Sequence, residues 1–380
     1  MKILLISEYF PKGENLVFSG GVEARTYFIA KNLAKHHKVI VITSKLKGTR
    51  KYEIIHGIEV YRVGKARDYQ AGANILSLFS ILSFIKQAIK TGNSLEPDIV
   101  DGGNVICHFI ARQIANKHKI PVVFWYPDVY IGQWMKTSGV ISGLSGWFLE
   151  KYNLKKKANK FISISNQTTN KLVKNSIPLK LIQKISCGVD LSEYKLKINA
   201  SSPKSIICIS RLVKYKNVSD LIWAFAMVRK KGINCDLKIV GTGPDKEKLK
   251  KIAMMLNLKK HVIFFENLPR KDLVRLIKSS AIFCSPSSVE GFGISVIEAA
   301  ASGIPSVISN IDIYKEITKN GKGTLFFKEK NIKDLSSKIE KLFIEEYVYR
   351  KKQKEALKLG GSYEWKKIAS QTESIYKNLI

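Results

Sequence analysis

Ser285-Pro286-Ser287-Ser288-Val289-Glu290-Gly291-Phe292-Gly293-Ile294-Ser295-Val296-Ile297-Glu298-Ala299-Ala300-Ala301-Ser302-Gly303-Ile304-Pro305 stands between two short apolar runs. These are Ala281 to Cys284 before it and Val307-Ile308 after it. Both runs read as buried strands. Ile294 to Ser302 reads as a helix, rich in Ala and stopped by Gly303 and Pro305. Strand, Gly-containing turn, helix and strand make a right-handed crossover unit. Its turn lies at the carboxyl end of the first strand, where open α/β sheets bind ligands.

The turn is chemically specific. Gly291 and Gly293 remove side chains where a ligand approaches backbone N–H groups. The following helix aims its unpaired N–H groups and positive dipole end at the same place, which suits phosphate. Glu290 and Glu298 flank that anion site. Two carboxylates facing a phosphate repel it, so they serve better as acceptors for sugar hydroxyls. The alternative makes Glu298 a helix-dipole partner and Glu290 a solvated loop residue.

The run from Glu290 to Glu298, continued to Pro305 and preceded by Pro286-Ser287, resembles the E-x7-E motif of retaining glycosyltransferases of family 4, which have the GT-B fold. The resemblance implies that Glu290 sits by the donor sugar and that Glu298 holds the ribose hydroxyls of the sugar nucleotide. It places Gly291, Phe292, Gly293 and Ile294 against the donor as well. It is strong over 205–330 and weaker in the half that binds the acceptor.

The other motifs follow in chain order. Lys2 to Ile6 reads as a first strand, not a signal peptide. Gly20-Gly21 opens a helix after it, at apolar spacing Ala24, Phe28, Ile29 and Leu33. This is either a plain turn or, as the resemblance implies, a loop contacting the donor phosphates and the acceptor. His56 reads as a turn residue and His108 as structural. Asn74 to Lys90 is an apolar helix, either core or interfacial. The strand Val122 to Tyr126 runs into Pro127-Asp128, where many relatives carry His-Gly. Asp128 is therefore either an acceptor-side catalytic carboxylate or a helix N-cap. Val140 to Lys157 carries Leu144, Trp147 and Phe148 beside a Lys cluster; it reads as a membrane-facing helix or an ordinary surface one.

In the second half, Arg211 and Lys216 follow the strand Ser205 to Ser210. Two cations there can clamp a diphosphate, and the resemblance assigns them that role. Lys214 competes for it, and Asn217 stands where the family has Gly. Gly241-Thr242-Gly243-Pro244 shapes the nucleotide side or is a simple turn. By resemblance the backbone near Leu268 faces the base. Ser309 to Glu316 reads as a loop. Trp365 and a final helix over 366–379 cross back onto the first domain.

The expected architecture is α/β, GT-B, with two Rossmann-like domains facing a cleft. Residues 1–190 form the acceptor-binding domain and 191–204 a linker. Residues 205–360 form the nucleotide-sugar-binding domain, and 361–380 a helix returning to the first. With 380 residues and 45% apolar content, the chain supports two cores. Five scattered Cys argue against disulfides and zinc, and cytoplasmic conditions follow by default. No run is long enough to span a membrane. The charge of +33 reads as Lys-rich composition, as attraction to an anionic membrane surface, or as nucleic-acid binding. No nucleic-acid module accompanies it, so no specific nucleic acid is expected. The reading is a retaining glycosyltransferase moving a sugar from a nucleotide diphosphate to a glycan or lipid-linked acceptor. It needs no cofactor and no metal, because the cations and the helix dipole neutralise the leaving diphosphate. The alternatives are a sugar-nucleotide epimerase on the same fold and a non-catalytic binder of anionic surfaces or nucleic acid.

Overall fold

The computed structural model describes residues 1–13, 16–18, 20–67, 75–135, 140–156, 158–195 and 205–380. Ser19, Asn74, Lys157 and 196–204 of the expected linker lie outside these. The chain divides into two compact units: residues 1–187 with 365–380, and residues 188–364.

In the first unit, an eight-stranded sheet runs β3-β4-β2-β1-β5-β6-β7-β8. Its strands are β1 (Lys2–Ile6), β2 (Lys38–Leu46), β3 (Tyr52–Ile55), β4 (Ile58–Arg67), β5 (Ile99–Gly102), β6 (Val122–Tyr126), β7 (Lys160–Ser163) and β8 (Ile182–Lys184). All pairs are parallel except the β3–β4 hairpin. That hairpin turns through His56 (φ 48) and Gly57 (φ 80), the left-handed pair that a two-residue hairpin requires. β1 reads Lys-Ile-Leu-Leu-Ile because a central parallel strand is buried on both faces.

Among the described residues, helices of this unit include α1 (Gly21–Leu33), α2 (Ile75–Gly92), α3 (Val105–His118), α4 (Val140–Lys155) and α5 (Asn166–Lys174). α3 packs against both α2 and α4. The crossovers through α2, α3 and α4 all step the same way along the sheet, which puts these helices on one face; α1 steps the opposite way. The last helix, Trp365–Lys377, packs on α1: Trp365 stacks on Phe28 (5.5 Å between centroids, 11° between planes), and His37 Nε2 pairs with Glu373 at 2.8 Å.

The core reading of α2 holds for one side of the helix. Phe84 and Ala88 are buried in the core, whereas Phe79 (59% exposed) and Leu82 (53%) face outward. In α4, Leu144, Phe148 (63%) and Tyr152 are exposed at four-residue spacing. Trp147 is only half-exposed, and Lys151 Nζ lies 4.1 Å from its ring centroid.

The second unit holds a six-stranded, wholly parallel sheet in the order β11-β10-β9-β12-β13-β14. The strands are β9 (Ser205–Ile209), β10 (Asp236–Val240), β11 (Val262–Phe265), β12 (Ile282–Ser285), β13 (Ser306–Ser309) and β14 (Thr324–Phe327). Its helices are α6 (Val218–Lys230), α7 (Lys246–Met255), α8 (Arg270–Lys278), α9 (Ile294–Ala301), α10 (Asp312–Ile317), α11 (Ile332–Ile344) and α12 (Glu346–Gly361), which makes Trp365–Lys377 α13. The stretch at 285–305 is strand, turn, helix and strand as its spacing predicts. Leu191–Lys195, expected to begin a polar linker, is a 3₁₀ turn packed on α8, because Tyr194 and Glu193 fasten to Arg270. Ser309 to Glu316, expected as a loop, contains α10. Cys208, Cys235 and Cys284 belong to the apolar core, and all five thiols are free and buried.

Candidate active site

The second sheet reverses direction between β9 and β12. The chain steps outward from β9 to β11, returns to β12, and steps outward the other way to β14. Such a switch point leaves a crevice beyond the carboxyl ends of the two strands. Arg211 to Asn217 follows one of these ends and Pro286 to Gly293 the other. The two loops are joined. Ser288 N donates to Tyr215 O at 2.9 Å, and Asn217 Nδ2 donates to Pro286 O at 3.0 Å and to Ser288 Oγ at 2.6 Å. Asn217 is left-handed (φ 48). Asn tolerates that conformation better than most side chains, which is why it can stand where Gly was expected.

Lys216 and Glu290 meet here. Lys216 is buried, and its Nζ donates to Glu290 Oε1 at 2.5 Å. The same oxygen accepts from Ser287 Oγ at 3.1 Å and Tyr314 OH at 3.2 Å. No donor among the described residues reaches Oε2. Burial, then the Glu290 charge, pushes the Tyr314 phenol well above its usual range, so it stays a neutral donor. Arg211 is exposed and donates to Tyr215 OH, and both Arg211 and Lys216 lie near the Tyr215 ring (5.9 and 5.4 Å to the centroid). Lys214 is exposed.

Gly293 caps α9 at φ 91, and a Cβ there would lie 2.8 Å from Tyr314 Cε1. The left-handed turn and Tyr314 both require a glycine here. The Phe292 side chain is buried edge-on against Tyr363 (6.0 Å), which leaves its backbone as the part that can meet a donor. Gly291, Ile294 and Leu268 are half-buried. Gly241 and Gly243 lie against the Arg211 loop. A Cβ on either would fall 1.9 Å from Ser210 O or 2.2 Å from Leu212 O, and Leu212 N donates to Thr242 O at 2.8 Å.

Glu298 is buried in α9, and its Oε1 accepts from Arg270 Nη1. Arg270 also binds Glu193 Oε2 through Nε and Nη2 (2.9 Å each) and Tyr194 OH through Nη2 (2.7 Å). The sequence reading missed Arg270, Glu193, Tyr194 and Tyr314. One signal was available: Arg270 opens a helix, where the dipole disfavours a cation unless carboxylates compensate it.

The first unit has its own switch point, between β1 and β5. Beyond those ends, Asn104 Nδ2 donates to Glu8 Oε2 at 3.0 Å, and Asn104 Oδ1 caps α3 by accepting from Cys107 N at 3.0 Å. Gly20 is exposed and extended ahead of Gly21, the first residue of α1. His108 is buried between the Phe124 and Tyr126 rings, bonded to Trp125 O at 2.9 Å, and burial pushes its pKa down to about 3. It is a neutral core residue, as expected.

Asp128 caps no helix: its Oδ1 accepts from Lys171 Nζ at 2.6 Å and from Val129 N at 2.7 Å. Nearby, buried Glu150 accepts from Trp134 Nε1 at 2.7 Å and Tyr130 N at 3.1 Å. Burial outweighs those bonds and lifts its pKa to about 7, with Asp128 adding to the rise and Lys171 opposing it. A carboxyl raised on folding stabilises the protonated folded form. Stability from this group is therefore full below about pH 4.5, falls as pH rises to about 7, and is level above. The loss is on the order of 3 kcal/mol. Denaturant titrations between pH 4.5 and 8 should show this slope in the wild type and not in Glu150→Gln.

Among the described residues, no group of three or more His, Cys, Asp or Glu could hold a metal ion. Two parallel α/β units, the second with cations and carboxylates at its switch point, define the GT-B class of glycosyltransferases. Residues 19–193 match the family described as Glycosyltransferase Family 4, and residues 193–359 the family described as Glycosyl transferases group 1. The chain belongs to glycosyltransferase family 4 and is a glycosyltransferase that uses a nucleotide-sugar donor. It is 24% identical over 371 residues to an uncharacterized glycosyltransferase of Haemophilus influenzae, covering 95% of this chain and 97% of the relative. It is 22% identical over 272 residues to the alpha-monoglucosyldiacylglycerol synthase of Acholeplasma laidlawii, covering 66% and 68%. Its fold matches that of Anabaena Alr3699/HepE, crystallised with UDP-glucose, at a TM-score of 0.78 and 17% identity, with full coverage of both chains.

Proposed function

We propose that this enzyme transfers a hexose, with retention of configuration, from a nucleoside-diphosphate sugar to a lipid or lipid-linked saccharide at an anionic membrane surface. In the reaction, the bond from the anomeric carbon to the diphosphate breaks. The acceptor hydroxyl oxygen bonds to the same face, and its proton passes to the departing phosphate. Arg211, Lys216 and the N-terminus of α9 take up the charge growing on that phosphate. Glu290 presents its open oxygen to the sugar, and Glu298 presents its own to the ribose hydroxyls. Asp128, held by Lys171, acts on the acceptor side. The diacylglycerol product named for the Acholeplasma relative supports a lipid acceptor.

One observation carries the membrane reading. Phe79 and Leu82 of α2 and Leu144, Phe148 and Tyr152 of α4 are exposed on the two helices flanking α3, beside exposed Lys86, Lys90, Lys151 and Lys155. Biased composition alone would place charge without an apolar face. Apolar area gains roughly 25 cal/mol per Å² on leaving water, and each Lys near an anionic surface adds about 1 kcal/mol, screened by salt. No helix among the described residues is long and apolar enough to cross a membrane, so attachment would be interfacial. In liposome sedimentation, phosphatidylglycerol vesicles should bind the enzyme in a salt-sensitive way. Phe79→Ser with Phe148→Ser should weaken binding at least tenfold at constant charge. Equal binding by both proteins would leave only nonspecific charge and favour an acceptor in solution.

A further inference from the structure

The geometry points to Arg270 as a positioning residue that sets which oxygen of Glu298 meets the nucleotide, and to Glu193 as the group that keeps Arg270 from taking both. The inference rests on the reading of Glu298 as the ribose acceptor. An arginine facing one carboxylate closes on it as a fork, with two parallel N–H bonds that occupy both oxygens. Here the fork is directed elsewhere. Nε and Nη2 of Arg270 bind Glu193 Oε2, Nη2 also reaches Tyr194 OH, and only Nη1 is left for Glu298 Oε1. Glu298 is thereby fixed by one oxygen, while Oε2 has no protein donor among the described residues. Fixing matters because a carboxylate that must turn on binding loses part of the hydrogen-bond gain to ordering.

The clamp is itself anchored. Glu193 and Tyr194 belong to the 3₁₀ turn at 191–195, and Lys278 Nζ of α8 donates to Tyr194 O at 2.6 Å. Arg270, Glu193 and Glu298 are all largely buried, so the geometry is not one of many that surface side chains sample. If Glu193 lost its charge, the fork would be free to swing onto Glu298 and cover the oxygen left open for ribose. A residue with no contact to the nucleotide would then control ribose recognition.

The test compares dissociation constants of UDP with 2′-deoxy-UDP, and of GDP with 2′-deoxy-GDP, for the full-length enzyme. The wild type should prefer the ribonucleotide of the pair it binds by at least tenfold, and Glu298→Gln should lose most of that preference. Glu193→Gln and Arg270→Gln should lose it too, and adding either to Glu298→Gln should change the ratio no further. Should Arg270→Gln fail to fold, as judged by its melt, Glu193→Gln still decides the matter because it leaves the Arg270–Glu298 pair in place. A preference lost in Glu298→Gln but kept in Glu193→Gln would overturn the role of Arg270 and Glu193 and leave the ribose reading standing. A wild type without ribose preference, or a Glu298→Gln that keeps it, would overturn both.

Discussion

Replacement of Lys216 by alanine is expected to lower kcat on the order of 100-fold, about 3 kcal/mol of transition-state stabilisation. The side chain is buried and held at 2.5 Å from Glu290, so its charge needs no reorganisation when the donor diphosphate begins to leave. Preorganised charge in a site shielded from water acts far more strongly than the same charge in solution. The substitution also deprives Glu290 of its counter-charge, which gives a second route to the loss. The double variant Lys216→Ala with Glu290→Gln separates the two. The reference is Glu290→Gln alone: if Lys216 served only to neutralise Glu290, adding Lys216→Ala to that variant would cost nothing further, whereas a diphosphate clamp makes the double variant slower than Glu290→Gln. Arg211→Ala should cost less, because Arg211 is exposed and its charge is screened. Turnover of Lys216→Ala at the wild-type rate under saturating donor would remove Lys216 from the mechanism.

What could be read from the chain tracks what is local in it. The β12–α9–β13 unit was legible because strand length, helix stop and turn glycines lie within a single stretch of about twenty-five residues. The turn in the same stretch marks the carboxyl end of β12, which the strand order places at the switch point of the second sheet. What holds those carboxylates was not legible. Tyr314 is 24 residues from Glu290, and Arg270 is 28 residues from Glu298. Each arrives by the fold rather than by spacing. Tyr314 lies in a segment that reads as a loop, since a six-residue helix has too few positions for periodicity to declare itself. Gly293 stands out in the sequence for close backbone approach, and the structure adds a requirement that spacing could not show, since a Cβ there would meet Tyr314. In the first unit, the pattern gave strands and helices but not partners. The sequence of Asp128 and its surroundings fits two roles, and the structure excludes the cap while pairing it with Lys171, 43 residues on. Glu150 is a buried acid inside an apolar helix, and nothing in the local sequence marks it as buried.

Asp101→Ala should destabilise the first unit by about 3–5 kcal/mol, the cost of leaving one member of a buried ion pair uncompensated. Asp101 is the third residue of β5 and is 1% exposed. Its Oδ2 accepts from Arg25 Nη2 of α1 at 2.9 Å and from Tyr376 OH of α13 at 2.5 Å. Arg25 is 3% exposed, with its guanidinium 4.9 Å from the Trp125 ring centroid, so no water shell can replace the lost carboxylate. One oxygen thus ties a central strand, the helix after β1 and the last helix of the chain. For a unit of this size the melting temperature should fall on the order of 10 °C. Tyr376→Phe removes only the α13 arm and should cost about 1–2 kcal/mol. Its effect should appear first as faster amide exchange across 365–377, with β5 unchanged. The apolar pair Arg25→Met with Asp101→Leu should be far less harmful than either truncation, because it removes the buried charges together. Melting of Asp101→Ala at the wild-type temperature would mean that Arg25 finds another counter-charge and that the Trp365–Phe28 stack and the His37–Glu373 pair suffice to hold α13 in place.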